Sequence, residues 1–195
     1  MNSKLAALLA ELEAFGQTND AATTDLSHTM HNITRDTGEF LLLLARAVEA
    51  RRILEIGTSN GYSTLWLAYA VQKFSGSVIT IEHSPFKAEM ARENFARVSL
   101  TPWIQLIEGD AGQVLKQQAD NSFGLIFLDA NRQQYVNWWN DLRRVLALGG
   151  LLVVDNALPH SNEMQDLIEV VRKTPGYLTS LVPVGNGELM ILKEA

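Results

Sequence analysis

Arg52-Ile53-Leu54-Glu55-Ile56-Gly57-Thr58-Ser59-Asn60-Gly61-Tyr62-Ser63-Thr64-Leu65-Trp66-Leu67-Ala68 is the stretch whose reading decides the fold. A short apolar run containing β-branched residues stops at Gly57, a second glycine follows at Gly61, and apolar residues at helical spacing run from Leu65 through Leu67, Ala68 and Val71. That order predicts a strand, a tight loop and a helix. In a parallel sheet such a loop lies at the carboxyl end of its strand, where open α/β sheets bind ligands, and the glycines let the backbone approach one closely.

The spacing limits what the loop holds. A dinucleotide fold wants Gly-x-Gly-x-x-Gly and a P-loop wants Gly-x-x-x-x-Gly-Lys-Ser/Thr. Neither is present, and no Lys or Arg follows Gly61 until Lys73. A loop without a cation, led by the acid Glu55, is poorly suited to a pyrophosphate or triphosphate. It suits a nucleoside cofactor that carries its own positive charge and no phosphate, a description that S-adenosylmethionine fits. The missing glycine fingerprint also sets a nicotinamide oxidoreductase far behind.

Working outward, the segments alternate. Upstream, Leu5, Leu8, Leu9, Leu12 and Phe15 space an amphipathic helix over residues 3–15 that is expected to end at Gly16. Gln17 to Asp36 reads as irregular and polar, either a surface connection with solvated His28 and His31 or a lid beside the site. A second helix carries Phe40, Leu41, Leu44, Ala45 and Val48. Downstream come strands at 77–82, 104–108, 124–129 and 151–155, with helices at 85–98, 111–118, 133–148 and 162–173 between or after them. Repeated βαβ units with right-handed crossovers predict an α/β fold, a doubly wound, mostly parallel Rossmann-like sheet with every strand end on one edge. Tyr177 to Val184 and Glu188 to Lys193, joined by Gly185-Asn186-Gly187, form a hairpin signal, so the last strand is expected to run antiparallel.

Composition narrows the class. The 195 residues are 47% hydrophobic and 19% charged, enough for one well-filled core, and a single domain over 1–195 is expected, with 1–36 as an N-terminal helix and lid-like segment. A net charge of −6 argues against non-specific binding to nucleic acid or anionic membranes. With no cysteine there are no disulfides, thiolate metal sites or thiol nucleophiles. The start shows no signal-peptide pattern and no apolar run reaches membrane-span length, so a cytoplasmic location is expected.

Four acids fall at strand ends: Glu82, Asp110, Asp129 and Asp155. Glu82 stands about where a doubly wound fold places the acid that accepts the ribose hydroxyls of a nucleoside. A helix cap or a solvated charge is its bland alternative. Asp110, with the small Ala111, borders an adenine or caps the helix that follows. Asp129 with Asp155-Asn156 makes a hard, all-oxygen set suited to Mg²⁺ or another hard divalent cation, unless each carboxylate merely caps a helix or turn. A metal there would bind a hydroxyl-bearing substrate and lower its pKa.

Together these motifs make the chain resemble the class I S-adenosylmethionine-dependent O-methyltransferases, and among them the small metal-dependent group that includes catechol and caffeoyl-CoA O-methyltransferases. The likeness runs from about Met30 to the final hairpin. It is carried by Leu54-Glu55-Ile56-Gly57-Thr58 with Gly61-Tyr62-Ser63, by Glu82, Gly109-Asp110-Ala111, Asp129 with Tyr135, Gly149-Gly150 and Asp155-Asn156, and by Val182-Pro183-Val184-Gly185-Asn186-Gly187. The resemblance implies that Glu55, Gly57, Thr58, Tyr62 and Ser63 surround the methionine part of the cofactor. It implies that Glu82, with His83 beside it, holds the ribose, that Asp110 and Ala111 lie by the adenine, and that Asp129 serves cofactor and metal alike. Metal ligation by Asp129, Asp155 and Asn156 follows too, as do contacts from Asn32, Ile33 and Thr34 in a segment that folds over the cofactor, and a homodimer.

One departure bears on the chemistry. Three residues after its first metal aspartate the family commonly has lysine, and here Arg132 stands there. Arginine stays protonated at working pH, so it orients an anion or stabilises an oxyanion but is no general base. His160, in the stretch where the family contacts substrate, has a suitable pKa, with His28 and His31 as weaker candidates. The family's usual tryptophan after Asp-Asn-x-Leu is Pro159 here. Trp138 and Trp139 are adjacent on a helix and cannot both face the core, so one is expected packed and the other at an interface or the surface. Three readings stay open: methyl transfer to a small catechol or phenolic hydroxyl, methyl transfer to a hydroxylated tRNA base, and a cofactor-binding relative with altered or lost metal-dependent catalysis.

Overall fold

Burial along the strands alternates between two apolar faces. In the first strand Ile53 joins one helical layer while Leu54 and Ile56 join the other. In the fourth, Leu125 and Phe127 face the first layer and Ile126 and Leu128 the second. A sheet apolar on both faces must be covered on both, and α/β crossovers supply the cover. The computed structural model describes residues 1–194, so Ala195 of the expected 1–195 domain lies outside the described residues.

In chain order the elements are α1 (Ser3–Ala22), α2 (Arg35–Ala47), β1 (Arg52–Ile56), α3 (Tyr62–Gln72), β2 (Ser77–Glu82), α4 (Pro85–Arg97), β3 (Ile104–Glu108), α5 (Ala111–Gln117), β4 (Phe123–Leu128), α6 (Tyr135–Val145), β5 (Leu146–Val154), α7 (Ser161–Lys173), β6 (Tyr177–Val182) and β7 (Glu188–Lys193). The strands form one sheet in the order β3-β2-β1-β4-β5-β7-β6. β1 to β5 pair in parallel, and β7 runs antiparallel to both β5 and β6. Strand order reverses between β1 and β4, which opens a crevice at their carboxyl ends. Backbone bonds carry the ladder past the strand ends: Gly57 N donates to Ile81 O (3.0 Å), Asp129 N to Ile56 O (2.9 Å) and Asp155 N to Leu128 O (3.1 Å). Gly57, Asp129 and Asp155 are thereby held side by side at one edge.

Two boundaries and one burial differ most from the sequence reading. α1 continues through Gly16 to Ala22. Gly16 is a contact position and not a stop: a Cβ there would come 2.7 Å from Asn32 Nδ2, which donates to Leu12 O (3.0 Å). Phe15, placed on the apolar face by spacing, is exposed, whereas Leu5, Leu8, Leu9 and Leu12 are buried against the α3 layer. β5 starts at Leu146, before Gly149-Gly150, because an irregularity in its pairing with β4 absorbs the glycines: Phe123 pairs with Leu146 but Leu125 pairs with Leu151.

Candidate active site

A cleft of about 1180 Å³ opens above the carboxyl ends of β1, β2 and β4 and is roofed by α1 and the segment before α2. At one end stands Glu82, the last residue of β2. Its carboxylate accepts the backbone N–H of Ser59 (2.8 Å, Oε2) and of Ser84 (2.8 Å, Oε1). Two backbone donors fix the carboxylate, and its remaining lone pairs face the cleft as acceptors for a pair of hydroxyls. His83, Asp110 and Ala111 line the same end, and Asp110 also caps α5 through Gln113 N (2.8 Å). Gly57, Thr58, Tyr62 and Ser63 line the middle beside Ile33.

Glu55 does not line the cleft. Parity along β1 turns it toward α3, where it is fully buried and accepts Ser63 Oγ (2.6 Å), Thr80 Oγ1 (2.6 Å) and Thr64 Oγ1. The direct contact to the methionine end expected of Glu55 has no place in this geometry: Glu55 orients Ser63, which borders the cleft. Burial pushes its pKa up to about 7 against the pull of the three hydroxyls. In the unfolded chain Glu55 ionises near 4.5, so as pH rises from there to about 7 the unfolded state loses a proton that the folded state keeps, and stability falls. Glu55→Gln is expected to remove on the order of 2–3 kcal/mol of that decline. Melting curves of parent and variant across this range check it, and parallel slopes would rule Glu55 out as a contributor.

The roof is latched by its own backbone. Asp20, in the last turn of α1, accepts Met30 N (2.6 Å) and His31 N (2.8 Å), Asn19 Nδ2 donates to His28 O (2.8 Å), and Ser59 Oγ donates to Met30 O (2.7 Å). His28 is bound to Asp25 and tilted against Phe86, away from the cleft, while His31 borders it. The segment expected either as a surface connection or as a lid borders the cleft, and the latch that α1 extends past Gly16 to supply was invisible to hydrophobic spacing. Asp20→Ala should weaken binding of a cofactor product analogue about tenfold, through faster release, because the roof loses its preorganisation. Titration calorimetry checks this; unchanged affinity with a lowered melting temperature would make the latch purely structural.

The other end is acidic. Asp129 lines the cleft and Asp155 is buried behind it. Asn156, in a left-handed conformation (φ 60°), donates through Nδ2 to Asp155 and accepts Asn186 Nδ2 at Oδ1 (3.0 Å). A third carboxyl joins them from β7: Glu188 is fully buried, accepts Thr37 Oγ1 (3.0 Å) at Oε1, and is hydrogen-bonded to the side chain of Asp155. Burial, and then the charge of Asp155, push Asp129 up to about 8 and Glu188 up to about 10, and burial raises Asp155 as well. Glu188 therefore stays protonated at neutral pH, and the two aspartates compete for charge. Arg132 borders the cleft three residues from Asp129, and its charge pulls both aspartates down. His160 lies at the rim, where its Nδ1 pairs with Glu163 Oε1 (2.8 Å).

Among the described residues no group of three or more His, Cys, Asp and Glu side chains is arranged to hold a metal ion. Asp129, Asp155 and the Asn156 amide oxygen are hard donors all the same. Two mutually repelling, partly desolvated carboxylates beside an amide oxygen with a spare lone pair fit a small divalent cation.

Sequence reasoning missed four residues here. Asp20 and Glu188 belong to elements remote in sequence, and Asn186 was read within the hairpin signal and the family-like closing motif but not as part of the site. Of the two tryptophans, expected one packed and one at an interface or the surface, Trp139 is buried and bonds Thr174 Oγ1 (3.2 Å), while Trp138 lines the cleft near Gly112, where its Nε1 would lie 2.9 Å from an added Cβ.

A doubly wound sheet with an antiparallel last strand, and a cleft with a ribose-type acid at one end and a hard-donor set at the other, define a Rossmann-like methyltransferase architecture. The chain belongs to the O-methyltransferase family, whose sequence profile matches residues 3–190. It is 38% identical over 126 residues to the catechol O-methyltransferase of Mycobacterium tuberculosis, covering 65% of this chain and 57% of that one. It is 37% identical over 130 residues to the catechol O-methyltransferase of Niastella koreensis, covering 65% and 58%. The match thus spans less than two thirds of these relatives' length. Among solved structures, the O-methyltransferase from Bacillus cereus in complex with SAH superposes with a TM-score of 0.81 at 28% identity, covering 100% of this chain and 92% of that one. No helix among the described residues is long and apolar enough to cross a membrane.

Proposed function

We propose that this chain transfers the methyl group of S-adenosylmethionine to a hydroxyl of a small catechol or phenolic acceptor. The observation that carries the reading is a single cleft with Glu82 fixed by two backbone donors at one end and Asp129 and Asn156 at the other, Asp155 buried behind them and Gly57 between. Glu82 accepts the ribose hydroxyls, Ala111 and Trp138 flank the adenine, and Ser63, set by Glu55, meets the methionine part under Ile33. Asp129, Asp155 and Asn156 would hold a hard divalent cation, Mg²⁺ being the first to test, which would supply the Lewis acidity that makes a hydroxyl a better nucleophile at neutral pH. The acceptor oxygen attacks the methyl carbon in line. Its new O–C bond forms as the C–S bond breaks, the sulfonium leaves as a neutral thioether, and the hydroxyl proton passes to water at the cleft mouth. Arg132 offers positive charge to the acceptor and takes no proton.

The test has two arms. Calorimetry with S-adenosylhomocysteine should show binding, and none at millimolar ligand would sink the reading. Methyl transfer to a catechol panel with Mg²⁺ should disappear with chelator; turnover indifferent to chelation would remove the metal but keep the enzyme.

Arg132 favours one further reading, a relative whose metal-dependent catalysis is altered; no turnover over a broad panel of diols despite cofactor binding would select it. The tRNA reading gains little, since in the shallow hollow lined by Arg143, Arg144 and Lys193 the charges of Arg144 and Lys193 are engaged by Asp120, Asp141 and backbone carbonyls. A homodimer remains part of the proposal, with exposed Leu178 and Leu181 on β6 as an available face and light scattering as its check.

A further inference from the structure

Glu13, Gly16, Gln17 and Asp20 of α1 border the cleft. At that spacing they share one face of the helix, while Leu5, Leu8, Leu9 and Leu12 pack it against the α3 layer. Two of the four carry charge, and their carboxylates are occupied differently. Asp20 is taken up by the latch, with Met30 N on one oxygen and His31 N on the other. Glu13 is held through a single oxygen: Tyr62 Oη donates to Oε1 (2.6 Å), and so does Arg35 Nη1 (3.2 Å). Oε2 takes no hydrogen bond among the described residues and is not a buried atom, since the side chain is 25% exposed. Arg35 is itself shared with Glu39, so two acids here face one base.

Tyr62 and Ser63 open α3 together. The phenol of one fixes Glu13, and the hydroxyl of the other borders the cleft where the methionine part of the cofactor is proposed to lie. That part carries an α-ammonium, whereas the adjoining wall of Gly57, Thr58, Ser63 and Ile33 is uncharged. An ammonium drawn out of water is costly without a charged acceptor, and a carboxylate gives it a charge-assisted hydrogen bond. We propose that Glu13 binds the α-ammonium of S-adenosylmethionine through Oε2, with Tyr62 and Arg35 fixing the carboxylate by its other oxygen. The inference rests on the methyl-transfer reading and adds a cofactor-specificity residue to that site, on a helix that the strand-end motifs do not include. Because Glu13 is already held by two donors, it loses little rotamer freedom when the ammonium arrives.

The test measures the binding of three ligands by calorimetry: S-adenosylhomocysteine, its analogue with hydrogen in place of the α-amino group, and methylthioadenosine, which lacks the whole amino-acid end. The parent should bind S-adenosylhomocysteine at least about tenfold more tightly than the deamino analogue. Glu13→Gln should bring these two within about twofold, and Glu13→Asp, which keeps the charge one methylene short, should give an intermediate preference. Methylthioadenosine offers Glu13 no group to bind, so its affinity should stay within about twofold across parent and variants. Circular dichroism and melting curves check that each variant folds, and Glu13→Asp carries the comparison where Glu13→Gln does not. Equal affinity of the parent for S-adenosylhomocysteine and the deamino analogue, or a preference that survives in Glu13→Gln, would overturn the proposal. A loss of methylthioadenosine binding as large as that of S-adenosylhomocysteine would make Glu13 a support of the roof and overturn it as well. Failure of the parent to bind either adenosine ligand is a separate outcome, which defeats the methyl-transfer reading itself.

Discussion

Gly57→Ala is expected to abolish cofactor binding and to destabilise the fold by about 3 kcal/mol or more. Gly57 has φ +104°, a conformation that L side chains rarely adopt. A Cβ there would lie 1.8 Å from the carbonyl oxygen of Asp129, which is backbone and has no rotamer to give. The neighbourhood is also tied down, by Gly57 N to Ile81 O (3.0 Å) and Asp129 N to Ile56 O (2.9 Å), so relief requires the ends of β1 and β4 to part. That movement displaces both the loop under the cofactor and Asp129. Denaturant unfolding and calorimetry with S-adenosylhomocysteine check the two halves. A variant within about 1 kcal/mol of the parent that still binds would show that the strand ends part easily.

Asp155→Asn is expected to lower methyl transfer by about a hundredfold or more while leaving affinity for S-adenosylhomocysteine within about threefold. Asp155 lies behind Asp129 and away from Glu82, so its replacement alters the end of the cleft where the proposed cation would sit without touching the nucleoside end. The amide keeps an oxygen for Asn156 Nδ2, and it relieves repulsion with Asp129. The sign for stability follows. Asp155 is raised in the folded state, so its ionisation opposes folding above the ordinary carboxylate range, and the neutral amide removes that penalty at pH 7. The variant should melt no lower than the parent and turn over far less, the usual relation between stability and a strained functional site. Retained turnover would detach Asp155 from the chemistry.

The strand–loop–helix at 52–68 was legible because its signals are local: a β run ending at a glycine, then a helical period. The strand-end acids Glu82, Asp129 and Asp155 were legible for a related reason, since a parallel sheet puts every strand end on one edge. Glu55 was read as a wall of the cleft from its motif, although alternation with Leu54 and Ile56 already turned it to the opposite face, toward α3. Gly16 was read as a stop because glycine usually ends a helix; here it admits Asn32, a contact no periodicity reports.

The sequence by itself determined the class of sheet, the direction of its last strand, the nucleoside-type cradle and the presence of a hard-oxygen set, because each follows from residue type and short-range spacing. Only the tertiary structure decided what those groups face. Asp20 latches the roof, Glu188 lies fully buried in the acidic end, and Trp138 enters the cleft, each through a contact between elements far apart in the chain. Arg132 shows the division most plainly: its residue type excluded a general base, but that its Nε is buried with no partner depends on what β4, its following turn and the neighbouring strand ends leave around it.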